Sequence, residues 1–306
     1  MSSALASLAV VLLVAPVLPG LIARTKAILT GRRGQPVLQL YADLGRLLRK
    51  GAVYGTATTW MFALAPVVVL ATVLCAALLL PLDGRAALIR FSGDAVAFAS
   101  VLALGRMALV LGAMDTGSSF EAMGASREAT VASFAEPALF LALVVLAVLT
   151  QSLSLSGMLG SRLVPGVEGF RMAAAAPFAL VAVTLFIVLL AETARVPVDD
   201  PATHLELTMI HEVMILDHSG PDLAFLLYAG AVKLVLFGSI LVGVVVPRAA
   251  LAPWLALGLL VGGLVVVAVL IGVIESVTAR LRLTRVPQLL VAAATLAALG
   301  VILVLR

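Results

Sequence analysis

Apolar residues run along this chain in long blocks separated by short polar stretches, and eight blocks reach the length of a membrane crossing. They lie at about 4–23, 59–80, 95–113, 135–155, 173–191, 222–246, 252–274 and 287–305. Each is close to the roughly 20 helical residues that a hydrocarbon core about 30 Å thick requires. The third is the weakest, because Arg106 interrupts it and glycines flank it. The fourth continues a polar lead-in: SREATVASFAEPALFLALVVLAVL reads as one long helix that carries Glu136 beyond its first polar turns. Pro137 is expected to loosen the backbone beside that carboxylate.

Two loops carry helical periodicity of their own. In GQPVLQLYADLGRLLRKG, Val37, Leu38, Leu40, Tyr41, Leu44, Leu47 and Leu48 recur at helical spacing, with Asp43, Arg46, Arg49 and Lys50 elsewhere. Such a segment is too short and too charged to span, and is expected to lie in the interface plane. In DDPATHLELTMIHEVMILDHSG, Asp200 is a candidate N-cap and Pro201 a first helical residue. Leu205, Met209, Val213 and Leu216 form one apolar stripe there, and Gly220 with Pro221 is read as the stop. The pattern predicts an all-α integral membrane protein, a single polytopic domain over 1–306 with about eight transmembrane helices and two amphipathic loop helices.

Composition agrees with the pattern. Of 306 residues, 63% are hydrophobic and 12% charged, where a soluble domain carries roughly a quarter charged. A pI near 9.7 suggests nucleic acid only until the basic residues are placed, since they sit in short loops between apolar runs. Loops one, three, five and seven hold twelve of the twenty Lys and Arg residues, and the opposite side holds six. Loops facing the cytoplasm carry the Lys/Arg excess, so both termini and the even loops are expected outside, and both amphipathic loops inside, as a floor on which another protein could dock. No basic residue precedes the first apolar run, so a retained span is expected rather than a signal peptide. The one cysteine, Cys75, excludes an intrachain disulfide, a thiolate metal cluster and a CxxC redox pair.

The chemistry concentrates in a few places. The stretch ETARVPVDD puts three carboxylates and an arginine directly after the fifth apolar run. Walker A, GxGxxG and GxSxG motifs are absent. HEVMILDH begins like a zinc-protease HExxH, but its second histidine comes seven residues on. His204, His211 and His218 share that spacing, and interfacial hydrogen bonding accounts for them better than a metal site. Ionisable groups in hydrocarbon are costly and mark ion or proton paths. The candidates are Glu136, Glu192, Asp199, Asp200, Glu206, Glu212, Asp217, Lys233, Glu275 and Arg106. Lys233 lies roughly 16 Å along a helix from Asp222, near mid-membrane, where an ammonium needs a carboxylate partner or water. Glu192 and Arg195 are one helical turn apart and are expected to pair. Asp222, Arg248 and Arg306 read as rim charges. An acidic row running from Glu192 to Glu206, at the cytoplasmic mouth, with Lys233 behind it, has the makings of a proton relay.

AETARVPVDDPATHLELTMIHEVMILDHSG resembles the signature loop of the subunit-1 family of respiratory complex I. More closely, it is similar to the hydrogenase branch, the membrane-anchor subunits of formate hydrogenlyase and related group 4 nickel–iron hydrogenases. GRRGQPVLQLYADLGRLLRKG and GASREATVASFAEPALF agree with it, and the eight-span layout covers essentially the whole chain. The resemblance implies a non-catalytic subunit of an oxidoreductase complex, joining a peripheral electron-transfer arm to antiporter-like membrane subunits in a bacterial or archaeal inner membrane. Glu192 and Arg195 match the family's Glu-Thr-x-Arg, Asp199 its loop aspartate, Glu206 its loop glutamate and Glu136 that of its fourth span. Asp217 falls where complex I carries a glutamate. In the family these acids form the entrance of the proton path. Partners implied are hydrogenase large and small subunits and a ferredoxin-like subunit, which would hold the nickel–iron centre and the iron–sulfur clusters, with no cofactor in this chain. TGRRGQPVLQL has the shorter hydrogenase form where complex I carries its quinone-channel motif. The resemblance therefore favours proton reduction, or the reverse, at a partner's nickel–iron site. A quinone-site subunit and a passive structural anchor are the alternatives, and the coupled ion is H+ or Na+.

Overall fold

In the computed structural model, which describes residues 2–160, 168–199, 209–248 and 251–305, the apolar blocks are helices, and no strand occurs among the described residues. The first block is two helices, α1 (Ser2–Val14) and α2 (Val17–Leu29). They part at Pro16, which has no N–H to offer the Leu12 carbonyl. The Tyr228 hydroxyl donates to that carbonyl at 3.2 Å, and the Tyr41 hydroxyl donates to the next one, of Leu13.

Beyond loop one, which contains α3 (Gln39–Leu47), come α4 (Trp60–Leu78), α5 (Asp94–Asp115) and α6 (Ser119–Thr150). They are followed by α7 (Leu155–Met158), α8 (Glu168–Glu192), α9 (His211–Ile215), α10 (Gly220–Val245), α11 (Pro253–Val277) and α12 (Val286–Leu305). Among the described residues eight segments are long and apolar enough to cross a membrane: α1 with α2, then α4, α5, α6, α8, α10, α11, and α12 with the turn before it. Successive spans run in opposite directions. Loops one, three, five and seven therefore gather on one side, termed here the basic face.

Packing sets where the site can form. Among the spans α10 is the most enclosed, against α4, α8 and α11, while α12 is the least. The exposed sides of α11 and α12 are Leu, Val and Ile, such as Leu259, Val266, Leu299 and Ile302. Glycine lets spans close on one another: a Cβ on Gly112 of α5 would stand 2.8 Å from that of Ala65 on α4. Small residues at such crossings allow the backbone approach that membrane helices use for association.

The loops depart from expectation in three respects. Helix α6 starts at Ser119, so loop three shrinks to 116–118 and Arg127 rides on the helix. Helix α3 forms as expected, with Leu40, Leu44 and Leu47 half-buried and no residue fully buried. Among the described residues the second amphipathic segment contains α9, in which Val213, Met214 and Ile215 are buried while Leu216 just beyond is exposed. Gly220 and Pro221 open α10 rather than merely ending what precedes them, with Gly220 at φ +55° beside the Gly51 backbone and proline in the first turn. Asp200, Pro201, His204, Leu205 and Glu206 lie outside the described residues, as do Arg162 and Arg306.

Candidate functional site

Helix α8 ends at Glu192 because the backbone turns there. Ala194 adopts φ +50°, its N–H bonds the Ala191 carbonyl at 3.3 Å, and the Arg195 N–H bonds that of Leu190 at 2.8 Å. This is a Schellman termination with alanine in the left-handed position that glycine usually fills. The turn leaves Glu192 at the carbonyl end of a helix, where the macrodipole disfavours an anion. Two cations offset this. Arg106 of α5 donates from Nη2 to Glu192 Oε1 at 2.6 Å, and Lys233 of α10 places Nζ 2.8 Å from Oε2. Arg106 also donates to Glu136 Oε1 at 2.7 Å and has Nε 3.6 Å from Glu128 Oε1.

Three carboxylates thus surround two cations, one acid in excess, so a single added proton neutralises the group. The cluster is deep. Arg106 lies roughly 13 Å from the basic-face end of α5, and Lys233 about 20 Å from that of α10. Measured along α5 and α10, the cations that hold Glu192 therefore sit well inside the bundle from the basic-face ends of their helices. A cavity of about 70 Å³ adjoins the cluster, lined by Arg106, Glu128, Glu192, Lys233 and His211. A second, of about 90 Å³, reaches Glu136 and Ser100 on the other side. Each has room for several water molecules among polar partners.

The rest of loop five is held by ion pairs. Asp199 is buried; its Oδ1 accepts from Arg280 Nη2 at 2.6 Å and its Oδ2 from the His211 N–H at 3.0 Å. Arg195 does not keep helical register with Glu192, since the helix has stopped, and its Nη1 stands 3.7 Å from Glu275. Glu275 is also 2.9 Å from Lys26. Arg195 and Asp199 thereby tie loop five to α2, α11 and loop seven. Nearer the basic face, Glu121 is buried and accepts from the Asp217 N–H at 3.4 Å, while Asp217 itself is exposed. Glu121 and Glu128, seven residues apart on α6, share one helix face about 10 Å apart. Burial pushes the His211 imidazole below its ordinary value, against the pull of neighbouring Glu212.

The structure thus joins Glu136, Glu192 and Lys233, holds Arg195, Asp199 and Glu212 in loop five, and leaves Asp217 exposed beside Glu121 nearer the basic face, with Asp200 and Glu206 undescribed. It makes Arg106, already a candidate by its place inside a span, the hub, and adds Glu128 and Glu121 behind it. Arg106 registers in the sequence as a flaw in the third span. Glu128 hides among the polar turns of α6, where its seven- and eight-residue spacings from Glu121 and Glu136 were the available signal. Two rim assignments are corrected. Asp222 is buried where the start of α10 packs on residues 51–54, below the Tyr54 hydroxyl. Arg248 is fully buried and donates to the Leu82 carbonyl at 3.1 Å, and burial lowers its guanidinium to about 10. His218 is buried too, its ring stacked on Phe62 with centroids 4.0 Å apart and both nitrogens without a partner. Among the described residues no group of three His, Cys, Asp or Glu side chains is arranged to hold a metal.

The NADH dehydrogenase family model matches residues 2–306. Formate hydrogenlyase subunit 4 of Escherichia coli (strain K12) is 30% identical over 282 residues, covering 90% of this chain and 89% of that protein. Hydrogenase-4 component C of the same organism is 30% identical over 244 residues, covering 80% and 75%. A chain of the membrane-bound sulfane sulfur reductase, an archaeal respiratory membrane complex, matches with a TM-score of 0.81 at 18% identity. That match covers 99% of this chain and 98% of the other, and concerns the fold alone.

Proposed function

The chain belongs to the NADH dehydrogenase family, as a multi-pass, complex I-like membrane subunit, and we propose that it anchors a peripheral hydrogenase arm and forms the entrance of its proton path. The observation that carries this reading is the cluster of Arg106, Lys233, Glu128 and Glu136 around the buried Glu192. Its surplus acid gives a proton a place to rest in the middle of the membrane. Ionisable groups at this depth are costly, and where they occur they serve ion or proton movement.

In this account the route starts at the exposed Asp217, passes Glu121 and Glu128 along α6, and reaches the cluster, with His211 lining the cavity between. A change of charge in the arm docked above would alter which carboxylate holds the proton. Arg195 and Asp199 position this machinery through Glu275 and Arg280. Redox chemistry, with its nickel–iron and iron–sulfur centres, would belong to hydrogenase and ferredoxin-like partners, and antiporter-like membrane subunits would take the proton onward. The basic face would be cytoplasmic, by its Lys/Arg excess, in the inner membrane of a bacterium or archaeon.

Two experiments test these statements. A C-terminal fluorescent fusion should be dark outside the cytoplasm while a periplasmic enzyme reporter is active; bright fluorescence from a properly inserted fusion reverses the orientation. Redox-difference infrared spectra of the assembled complex should contain the carbonyl stretch of a protonated carboxyl that shifts or vanishes in Glu192→Gln, Glu136→Gln or Glu128→Gln. An identical spectrum in all three variants removes the cluster from the path.

A further inference from the structure

Opposite the basic face, loops two and four meet at the start of α5. The Asp94 carboxylate, fully buried in the first turn of α5, joins them: Oδ2 accepts from the Ser154 hydroxyl and Oδ1 from the Leu155 N–H, both at 2.6 Å. The Ala87 N–H donates to Ser156 Oγ at 2.9 Å. Loop two is fastened from behind as well. Arg248 donates to the Leu82 carbonyl at 3.1 Å, and Oδ1 of the buried Asp83 accepts from the Arg85 N–H at 3.1 Å. Gly84 lies between these contacts at φ +74°, where a Cβ would stand 2.7 Å from the Arg248 carbonyl oxygen. Buried polar contacts therefore hold both loops in place.

A cavity of about 880 Å³ opens between the two loops, with Arg85, Arg90, Ser92, Gln151 and Ser152 in its lining. Small-molecule sites occupy roughly 300–1,000 Å³. Among the described residues two guanidiniums and no carboxylate line it, since Asp83 and Asp94 are buried in the contacts above. Arg85 and Arg90 are exposed, and among the described residues neither guanidinium is in an ion pair. The spans fix the depth: α4 ends at Leu78, α5 begins at Asp94 and α6 ends at Thr150. That is the level of the polar headgroups, which border the hydrocarbon core. Ile89, Phe91 and Leu153 are exposed there, apolar side chains suited to the top of an acyl chain. A guanidinium pairs with a phosphate through two parallel hydrogen bonds, and the serine hydroxyls and the Gln151 amide match the hydroxyls of a glycerol headgroup. An amine headgroup would find no carboxylate among the described lining residues to receive its ammonium.

We propose that this cavity binds the headgroup of an anionic phospholipid, with Arg85 and Arg90 holding its phosphate. The site requires only that the chain spans a membrane and is independent of proton movement. The test uses the assembled complex, purified in detergent, and phosphatidylglycerol carrying a diazirine on one acyl chain close to the glycerol. Illumination should label peptides from residues 85–92 and 151–157. An excess of unlabelled phosphatidylglycerol should abolish that label, whereas the same excess of phosphatidylethanolamine or of inorganic phosphate should leave it. Replacing both arginines, Arg85→Gln with Arg90→Gln, should lower the yield at least about tenfold, as expected when charge-assisted bonds to a phosphate are lost. Arg85→Lys with Arg90→Lys should retain part of it. Equal labelling of the glutamine double variant and the wild type, equal competition by phosphatidylethanolamine, or no label in these two loops would each overturn the proposal. Displacement by inorganic phosphate would also overturn it, by assigning the arginines to a free anion. If the glutamine double variant does not assemble, the competition arms on the wild-type complex decide by themselves.

Discussion

Glu192 is held where its helix least favours an anion, and two cations from two other spans keep it there. Such arrangements are unforgiving: removing one partner of a buried ion pair typically costs about 3–5 kcal/mol, because the other charge is left without compensation. The sequence made Glu192 and Lys233 legible as charges out of place, but not their contact, which depends on how α8 and α10 cross. His218 illustrates a different residue-scale effect. Burial against Phe62 lowers its imidazole from an ordinary 6.5 to about 4, so the ring stays neutral in the folded chain. Between those two values the unfolded chain binds a proton that the folded chain refuses, and stability must fall as pH drops through that window. His218→Phe keeps a ring for Phe62 and removes the titration. Thermal midpoints measured between pH 7 and pH 4.5 should decline less in His218→Phe than in the wild type; parallel declines would assign the acid sensitivity to other groups.

At the scale of elements, the deciding feature is that α8 stops at Glu192, whose cation partners lie well inside α5 and α10. Hydropathy reports apolar length, so the spans themselves were readable, to within a few residues at most ends. It carries no information on depth, and for that reason Glu192 reads as a mouth residue when its partners are at mid-span. Long-range pairs were equally hidden: Arg280 and Asp199 are eighty-one residues apart, and nothing local links them. Helix α6 was recognisable as one long helix through Pro137, yet its first turns looked like loop because they are polar. If Arg280 and Asp199 clamp loop five, Arg280→Gln should loosen residues 193–199 at a cost of about 1–3 kcal/mol. Hydrogen exchange of that segment should speed up in the variant while exchange in α10 stays unchanged. Equal protection of 193–199 in both proteins would show that the clamp is dispensable.

At the scale of the whole molecule, the spans gather a group of charges around the buried Glu192, away from the ends of α5, α6 and α10. The central claim is that this group passes protons, and coupling in the assembled complex tests it most directly. Vesicles containing the complex with Glu192→Gln would be compared with wild type for proton movement per turnover, using a lumenal pH dye alongside hydrogenase activity. Glutamine preserves size and hydrogen bonding but holds no titrating charge. Asp43→Asn, at an exposed carboxylate paired within α3, is the control. The account predicts that Glu192→Gln assembles, retains dye-linked activity of the arm and moves at least about tenfold fewer protons per turnover, while Asp43→Asn behaves as wild type. An assembled Glu192→Gln complex that moves protons at the wild-type ratio would contradict it.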